Sequence, residues 1–358
     1  MGTRPNTVTP FASGDIIPDV GLLGRDGRIF QLFRQTLAGA TLAVWRTGPE
    51  ISSGDIADAE RLAEEFGAVE AHLIHLVVGT TPENVRGPSA GSPLVQVFDP
   101  RNEIAPLFGL TGTGLIAIDR RRRLIGAYAG RGPRDALTLC RDAFASEPSG
   151  TLAVQAPVLL VPNIFDASEA ASLVSYWDAS DKDLVNNVAS GAGGNDYDSP
   201  QIKRRIDTPI EERRLFDLVK LRIERRVFPE IVKSFQCTIA RMEMPRIGCY
   251  DSADRGEFGR HRDNTTTFTA HRKFALSINL NDGYKGGAVC FPEYGRIAYR
   301  PPIGGGVVFS CSLLHEAQPV TAGRRFGLFT FFTDAEGGKR EDAMYAKHAS
   351  GLNSYTVR

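Results

Sequence analysis

His261-Arg262-Asp263 is followed fifty-two residues later by His315, and ten residues beyond that stands Arg325. On extended backbone, residues two apart project from the same face, so His261 and Asp263 can reach one ion while Arg262 points away. His315 must then arrive from a distant strand. Two imidazoles and one carboxylate gathered on one face suit a first-row divalent metal and leave three positions of an octahedral Fe(II) open to reactants.

Other histidines compete for that role. His271 has only Arg272-Lys273 beside it and no adjacent carboxylate, so it is expected on a loop or edge. His72 and His75 are three apart on a predicted strand and face opposite sides, which favours packing. His348 lies near the end of the chain. His-Arg-Asp also matches the start of a kinase catalytic loop, but Asn264-Thr265-Thr266 follows it, without the downstream Asn and Asp-Phe-Gly signals.

A metal site of this kind needs facing strands. Gly304-Gly305-Gly306 is a turn leading into a buried strand, Val307-Val308-Phe309-Ser310, just ahead of His315. From Cys237 onward, short runs of Val, Ile, Phe and Thr are separated by Gly, Pro, Asp and Asn, which predicts β structure. Ahead of it, Pro157 to Pro162 reads as a strand, and Asp166 with Glu169 forms a capping box for a helix through Leu173 and Tyr176. Ser190 to Pro200 predicts a mobile loop. Thr208-Pro209, with Glu211 three past the cap, predicts the start of a long helix through Leu215, Leu218, Val219, Ile223 and Val227. Residues 337–358 are polar without clear periodicity and read as a tail.

The first 150 residues have a different pattern. Arg25 to Arg28 is a turn between short strands, and Thr41 to Trp45 is a compact buried strand. Asp55 to Phe66 carries Ile56, Ala59, Leu62, Ala63 and Phe66 at helical spacing, with Gly67 as a stop. Strands at Leu73–Val78 and Leu94–Phe98, a hairpin of Leu115–Asp119 with Leu124–Tyr128, and a helix over Pro133–Phe144 complete an α/β unit. Glu147 to Thr151 is rich in breakers and reads as a linker.

The chain has 358 residues, a length that suggests two domains. Its 42 basic and 42 acidic side chains cancel, which argues against a nucleic-acid partner. Arginine dominates the basic set, with only eight Lys. No run approaches the roughly 18 apolar residues of a membrane span, and Met1 to Pro5 does not begin a signal peptide. Cys140, Cys237, Cys249, Cys290 and Cys311 are scattered, with no CxxC, and read as free thiols of a cytoplasmic protein.

The stretch from Tyr250 to Phe332 resembles the 2-oxoglutarate/Fe(II) dioxygenases, in their prolyl 4-hydroxylase-like branch. Phe258-x-x-His261-x-Asp263-Asn264 is similar to the first ligand motif. Leu280-Asn281, Tyr284-x-Gly286-Gly287 and Phe291-Pro292 resemble the central strands. Gly305-x-Val307-Val308-Phe309, His315, Pro319-Val320-Thr321 and Gly323-x-Arg325 resemble the final ones. Ala288 departs from the acidic residue that many members carry there. The resemblance implies a double-stranded β-helix (jelly roll) with flanking helices. It implies His261, Asp263 and His315 as iron ligands and Arg325 as partner of the distal carboxylate of 2-oxoglutarate. Arg324 competes, since strand alternation turns one of the two arginines inward. Tyr250 is a candidate phenol donor to the cosubstrate or a core aromatic, and Asn279 is expected to line the cosubstrate pocket beside Ser277.

The expected activity is hydroxylation of a C–H bond with molecular oxygen, giving succinate and carbon dioxide, with ascorbate as a possible reductant. The substrate would be a peptidyl proline, an amino acid or a natural-product intermediate. Ser190–Pro200 and Asn264–Lys273 are expected to flank the mouth that selects it. Halogenation is disfavoured because Asp263 is present where halogenases lose the carboxylate. A non-catalytic interaction or oxygen-sensing protein retaining the metal site is the competing reading; the complete trio with Arg325 favours the enzyme.

The N-terminal order, with Ile17-Pro18-Asp19 ahead of Asp26-Gly27, resembles the peroxiredoxin family and implies a thioredoxin-type sheet. Where that family places its reactive thiolate, this chain reads Arg46 to Ser53 with no Cys, and serine does not replace a thiolate in that chemistry. The expected organisation is therefore a thioredoxin-like domain without peroxidase activity over 13–148, a jelly-roll dioxygenase domain over 156–336 and a tail over 337–358. The first domain is expected to serve as a scaffold, with a homodimer forming through it.

Overall fold

The computed structural model describes residues 9–33, 37, 40–145, 155–180, 187–189, 196–198, 203–348 and 354–356. The expected linker at 147–151 lies outside them. The chain divides into two compact units, Met1–Gly150 and Thr151–Arg358. No helix among the described residues is long and apolar enough to cross a membrane.

The first unit contains β1 (Gly21–Gly24), β2 (Ile29–Gln31), β3 (Thr41–Thr47), α1 (Ser53–Gly67), β4 (Ala71–Val78), β5 (Val95–Asp99), β6 (Gly114–Ile118), β7 (Leu124–Ala129) and α2 (Pro133–Ala145). Its sheet runs β2-β1-β5-β4-β3-β6-β7. The β3-α1-β4 crossover is parallel, and the β6-β7 hairpin lies antiparallel against β3, which is the thioredoxin-like arrangement. β3 is buried along its whole length, as expected of a strand covered on both faces. The apolar stripe of α1, Ile56 to Phe66, is buried, and Ala59, Leu62, Ala63 and Phe66 share one core cluster with Ala43, Trp45 and Leu73.

Within the Cys-free stretch Arg46 to Ser53, Ser52 caps α1. Ser52 Oγ accepts from the Asp55 backbone N–H at 3.1 Å and donates to the Asp55 carboxylate at 2.7 Å. Cys140 is fully buried in α2, and burial pushes its thiol up to about 12. A protonated, shielded thiol is a poor nucleophile. We therefore expect the full chain, supplied with a thiol reductant, to consume hydrogen peroxide no faster than its Cys140→Ser variant. Turnover that disappears in that variant would overturn this expectation.

His75 is wholly buried in β4. Its Nε2 lies 2.8 Å from Thr47 Oγ1 and its Nδ1 accepts from Gln96 Nε2 at 3.1 Å, while the ring stacks on Trp45. Burial lowers its pKa to about 4, so it is a neutral core histidine.

The second unit begins with β8 (Leu159–Val161), α3 (Ala167–Ala179), β9 (Asn187–Ala189), β10 (Asp196–Asp198) and β11 (Ile206–Pro209). The helices α4 (Arg213–Arg226) and α5 (Phe228–Phe235) follow, then β12 (Arg241–Glu243), β13 (Arg246–Asp251), β14 (Phe258–His261) and β15 (Phe274–Asn279). β16 (Lys285–Gly286), β17 (Val289–Cys290), β18 (Ala298–Tyr299), β19 (Gly306–Ser310), β20 (His315–Ala317), β21 (Val320–Ala322) and β22 (Arg324–Thr333) come next. The unit ends with α6 (Ala335–His348) and β23 (Ser354–Thr356).

The major sheet runs β11-β13-β22-β15-β19-β8, with β12 joined to β22 and β23. A minor sheet runs β14-β20-β17-β18. Two antiparallel sheets of this size, with helices beside them, are a jelly roll. Its main core includes Leu276, Ile278, Val308, Leu328 and Phe332 of the major sheet together with Leu173, Trp177, Val219, Ile223 and Ile231 of the helices.

Three expectations change here. Thr208-Pro209 does not open a helix: both residues close β11, paired with β13, and α4 starts at Arg213. β11 is the sheet's edge strand, where proline is tolerated, so pairing of this buried segment overrides the capping pattern. Residues 337–358 are not a featureless tail, since they contain most of α6 and all of β23. Arg241 holds α6 through Glu341 at 3.1 Å and Asp342 at 2.6 Å, and β12 pairs with β23. Within the loop expected over 190–200, Asp196–Asp198 pairs with Asn187–Ala189 as a hairpin; 190–195 and 199–200 lie outside the described residues. The capping box at Asp166 and Glu169 is present in both directions.

Candidate metal centre

β14 and β20 run antiparallel with His261 directly opposite His315, and a bulge between Phe258 and His261 adjusts the register. Asp263 follows His261, its backbone N–H held by the Cys311 carbonyl at 2.9 Å. His261 Nε2 lies 3.4 Å from Asp263 Oδ1, and His315 Nε2 lies 3.4 Å from Asp263 Oδ2. The candidate ligand atoms of all three residues fall within 4.8 Å of one another.

Second bonds fix the rings. Nδ1 of His261 donates to the Gly259 carbonyl at 2.7 Å, and Nδ1 of His315 donates to the Leu313 carbonyl at 3.0 Å. A carbonyl only accepts, so each Nδ1 carries the proton and each Nε2 presents a lone pair toward Asp263. Phe258 stacks on His261 at 3.5 Å between centroids, and Phe309 lies 4.6 Å from His315. Burial pushes the pKa of His315 down, which keeps the imidazole neutral as a ligand must be. Burial alone would raise Asp263, but the positive charge that His315 and His261 carry when their rings are protonated, together with that of Arg272, holds its carboxyl down at about 2. Arg262 turns away to Glu293 at 2.6 Å.

A cavity of about 490 Å³ opens over these groups. Arg325, Tyr250 and Ser277 line it along with the trio. Arg325 is 4% exposed; its Nη2 reaches Ser277 Oγ at 3.4 Å and its Nη1 is buried without a partner. A buried, unpaired guanidinium N–H facing a cavity is costly unless a ligand accepts from it. Arg324, by contrast, is half-exposed and lies 3.7 Å from Asp178. Alternation along β22 thus turns Arg325 inward. Gly287 makes room for it: at φ +67°, any Cβ there would stand 2.9 Å from Arg325 Cδ.

Tyr250 is buried opposite Arg325 in the β13–β22 ladder, and its phenol oxygen accepts from Arg205 Nη1 at 3.2 Å. Asn279, expected in the cosubstrate pocket, does not line the cavity. Its Nδ2 donates to the Asn281 and Pro301 carbonyls, and its Oδ1 accepts from the Tyr284 hydroxyl at 2.8 Å. These bonds tie the end of β15 to its loops, and Ser277, two residues earlier on the same face, meets Arg325 instead.

His271 is buried rather than on an open loop, with Nε2 3.5 Å from Glu243 and 3.7 Å from Glu341. It stands apart from the trio. Lys203, Arg205 and Asp207 are not among the residues expected at the site. These three line or support the cavity from β11 and its lead-in, where charges alternate at i, i+2 and i+4. Arg205 binds Asp207 through Nε at 2.5 Å and Nη2 at 2.7 Å, and Lys203 Nζ lies 3.3 Å from the same carboxylate. Burial, then Arg205, lower Lys203 to about 8 against the pull of Asp207. Gly248 leaves space for this group, since a Cβ there would lie 2.6 Å from Asp207 Oδ1.

No family model and no curated protein matches the chain. Solved structures similar to its C-terminal half include a prolyl hydroxylase from Trichoplax adhaerens, in complex with a peptide fragment of a hypoxia-inducible-factor oxygen degradation domain. It is 14% identical, with 52% of this chain and 86% of that chain covered and a TM-score of 0.41. A Pseudomonas putida prolyl-4-hydroxylase is 15% identical, with 50% and 92% covered and a TM-score of 0.36. Part of the N-terminal region is similar to an exposed lipoprotein thioredoxin from Streptococcus pneumoniae. That chain is 18% identical, with 35% and 98% covered and a TM-score of 0.30.

Proposed function

We propose that this chain is an Fe(II)- and 2-oxoglutarate-dependent dioxygenase that hydroxylates a C–H bond of a peptide or small molecule and releases succinate and carbon dioxide. One observation carries this reading. Two Nε2 lone pairs and an ionised carboxylate converge in the same cavity as a buried arginine with an unpaired N–H. The donor set fits Fe(II) with positions left open. The orphan Nη1 of Arg325 fits the distal carboxylate of a keto diacid.

Bound between these residues, Fe(II) would supply oxygen activation coupled to oxidation of the keto acid. The protein's own groups do the rest. Their bonds to Gly259 and Leu313 hold both imidazoles in the ligating tautomer. Asp263 contributes the negative charge, and Arg272 donates to its backbone carbonyl at 3.4 Å. Arg325, steadied by Ser277, orients 2-oxoglutarate through a bidentate fork, and Tyr250 stands beside it. Phe258 and Phe309 cover the imidazoles and keep bulk water off them.

The substrate belongs to the range of peptidyl proline, free amino acid or natural-product intermediate, with ascorbate as the reductant that rescues idle enzyme. The free thiols Cys140, Cys237, Cys249, Cys290 and Cys311 support work in the cytoplasm. The first unit acts as a scaffold that brings two chains together, which sedimentation of the full chain against residues 150–358 tests. The direct test of the activity is oxygen-dependent 2-oxoglutarate turnover by the Fe(II)-loaded chain, screened against peptides, amino acids and cell extract, with mass detection of one added oxygen. No succinate above the metal-free control, with or without these additions, would reject the reading.

A further inference from the structure

The cavity wall carries more positive charge than the proposed iron and cosubstrate answer. Fe(II), Asp263, Arg325 and doubly charged 2-oxoglutarate sum to zero. Arg262 and Arg272 also line the cavity, but Glu293 and Glu243 answer them, so among the described residues Lys203, Arg205 and Arg246 remain, against the carboxylate of Asp207. Asp207 is taken up by Arg205 on both oxygens and by Lys203 on one. Arg246 sits on β13 opposite Pro209, close enough to Lys203 and Asp207 to act on both electrostatically. Among the described residues no carboxylate lies within ion-pair distance of Arg246. Lys203 and Arg205 are 4% and 8% exposed, so water does not make up the deficit.

We propose that the substrate carries an anionic group, a carboxylate or a phosphate, received by Lys203 and Arg246. This rests on the reading of the cavity as a dioxygenase site and adds the substrate's charge to it. The placement is productive. Lys203 Nζ stands 5.7 Å over the Phe258 ring, on which the imidazole of His261 also stacks. An anion held by Lys203 therefore brings the adjoining carbon chain to the metal side of the cavity.

The subsite is also distinct from the cosubstrate's. Arg246 lies four residues along β13 from Tyr250, the residue paired with Arg325, which is about 13 Å on a strand. Arg205 is bound to Asp207 and the Tyr250 hydroxyl, so it serves as support for the two receiving cations. A cavity of about 490 Å³ holds 2-oxoglutarate and one small molecule, which favours a small anion over an extended peptide.

The test is titration calorimetry under anaerobic conditions on the full chain loaded with Fe(II) and saturated with 2-oxoglutarate. The probes are pentanoate, butyl phosphate and the neutral isostere pentanamide. At least one anion should bind and pentanamide should not; the better anion names the source of the charge. Lys203→Met and Arg246→Gln should each weaken anion binding about tenfold or more, as expected for a lost charge-assisted hydrogen bond. Arg324→Gln, a cation outside the cavity, should leave it unchanged. Arg246 is only half-buried, so its variant stays informative if Lys203→Met fails to fold. Equal binding of pentanamide and the anions, or anion binding untouched by Arg246→Gln, would overturn the proposal. So would a fall in 2-oxoglutarate affinity with no change for the probes, because the cations would then belong to the cosubstrate. Failure of the protein to bind Fe(II) or 2-oxoglutarate in the loading step would instead strike the dioxygenase reading itself.

Discussion

His261→Ala and Asp263→Ala each lose most of the bound Fe(II) after anaerobic reconstitution, and with it all 2-oxoglutarate turnover. The reason is geometric. Each variant removes one of three groups whose ligating atoms meet within 4.8 Å, and no other His, Cys, Asp or Glu among the described residues joins that cluster. Removing a residue that merely supports a metal ligand costs about 10–100-fold in affinity, so removing a ligand should cost at least as much. At a metal concentration that fills the parent protein, iron content should fall to about a tenth or less. His271→Ala is the matched control, since His271 faces Glu243 and Glu341 instead. Metal analysis of the purified variants reads the outcome directly. Near-parental iron and turnover in both His261→Ala and Asp263→Ala would sink the assignment.

The trio was legible because strand alternation and a glycine-led strand constrain where His261, Asp263 and His315 go. The first unit was legible for a related reason. Its buried strands and the apolar stripe of α1 are local patterns, and β3, α1, β4, β5, β6, β7 and α2 lie within a few residues of their expected bounds. What escaped the sequence depended on long-range pairing. Thr208-Pro209 carries a good local helix signal, yet its edge position against Arg246 and Ile247 makes it strand. α6 has a weak apolar periodicity and is secured by Arg241, a hundred residues earlier, so no local window reveals it. Asn279 and Ser277 share a face of β15, and only the structure shows that loop carbonyls claim Asn279 while Ser277 meets Arg325. The cations at Lys203 and Arg246 are far apart in sequence and meet only because β11 pairs with β13.

Arg325→Ala raises the apparent 2-oxoglutarate constant by about 30-fold or more, with iron content preserved. Losing one member of a buried charge pair costs about 2–5 kcal/mol, and the lower bound already gives that factor. The variant separates the two halves of the site, because Arg325 touches Ser277 and none of the metal-facing atoms. A general collapse of the barrel would reduce iron binding as well, so intact iron with a weakened cosubstrate points to the carboxylate contact alone. Arg325→Lys should recover only part of the loss, since an ammonium cannot supply the planar two-point fork. Arg324→Ala should leave the constant where it is, because that side chain is turned out toward Asp178. The measurement is initial-rate 2-oxoglutarate dependence for the three variants at fixed iron. An unchanged constant in Arg325→Ala together with a large rise in Arg324→Ala would transfer the role across the strand and contradict the inward turn of β22.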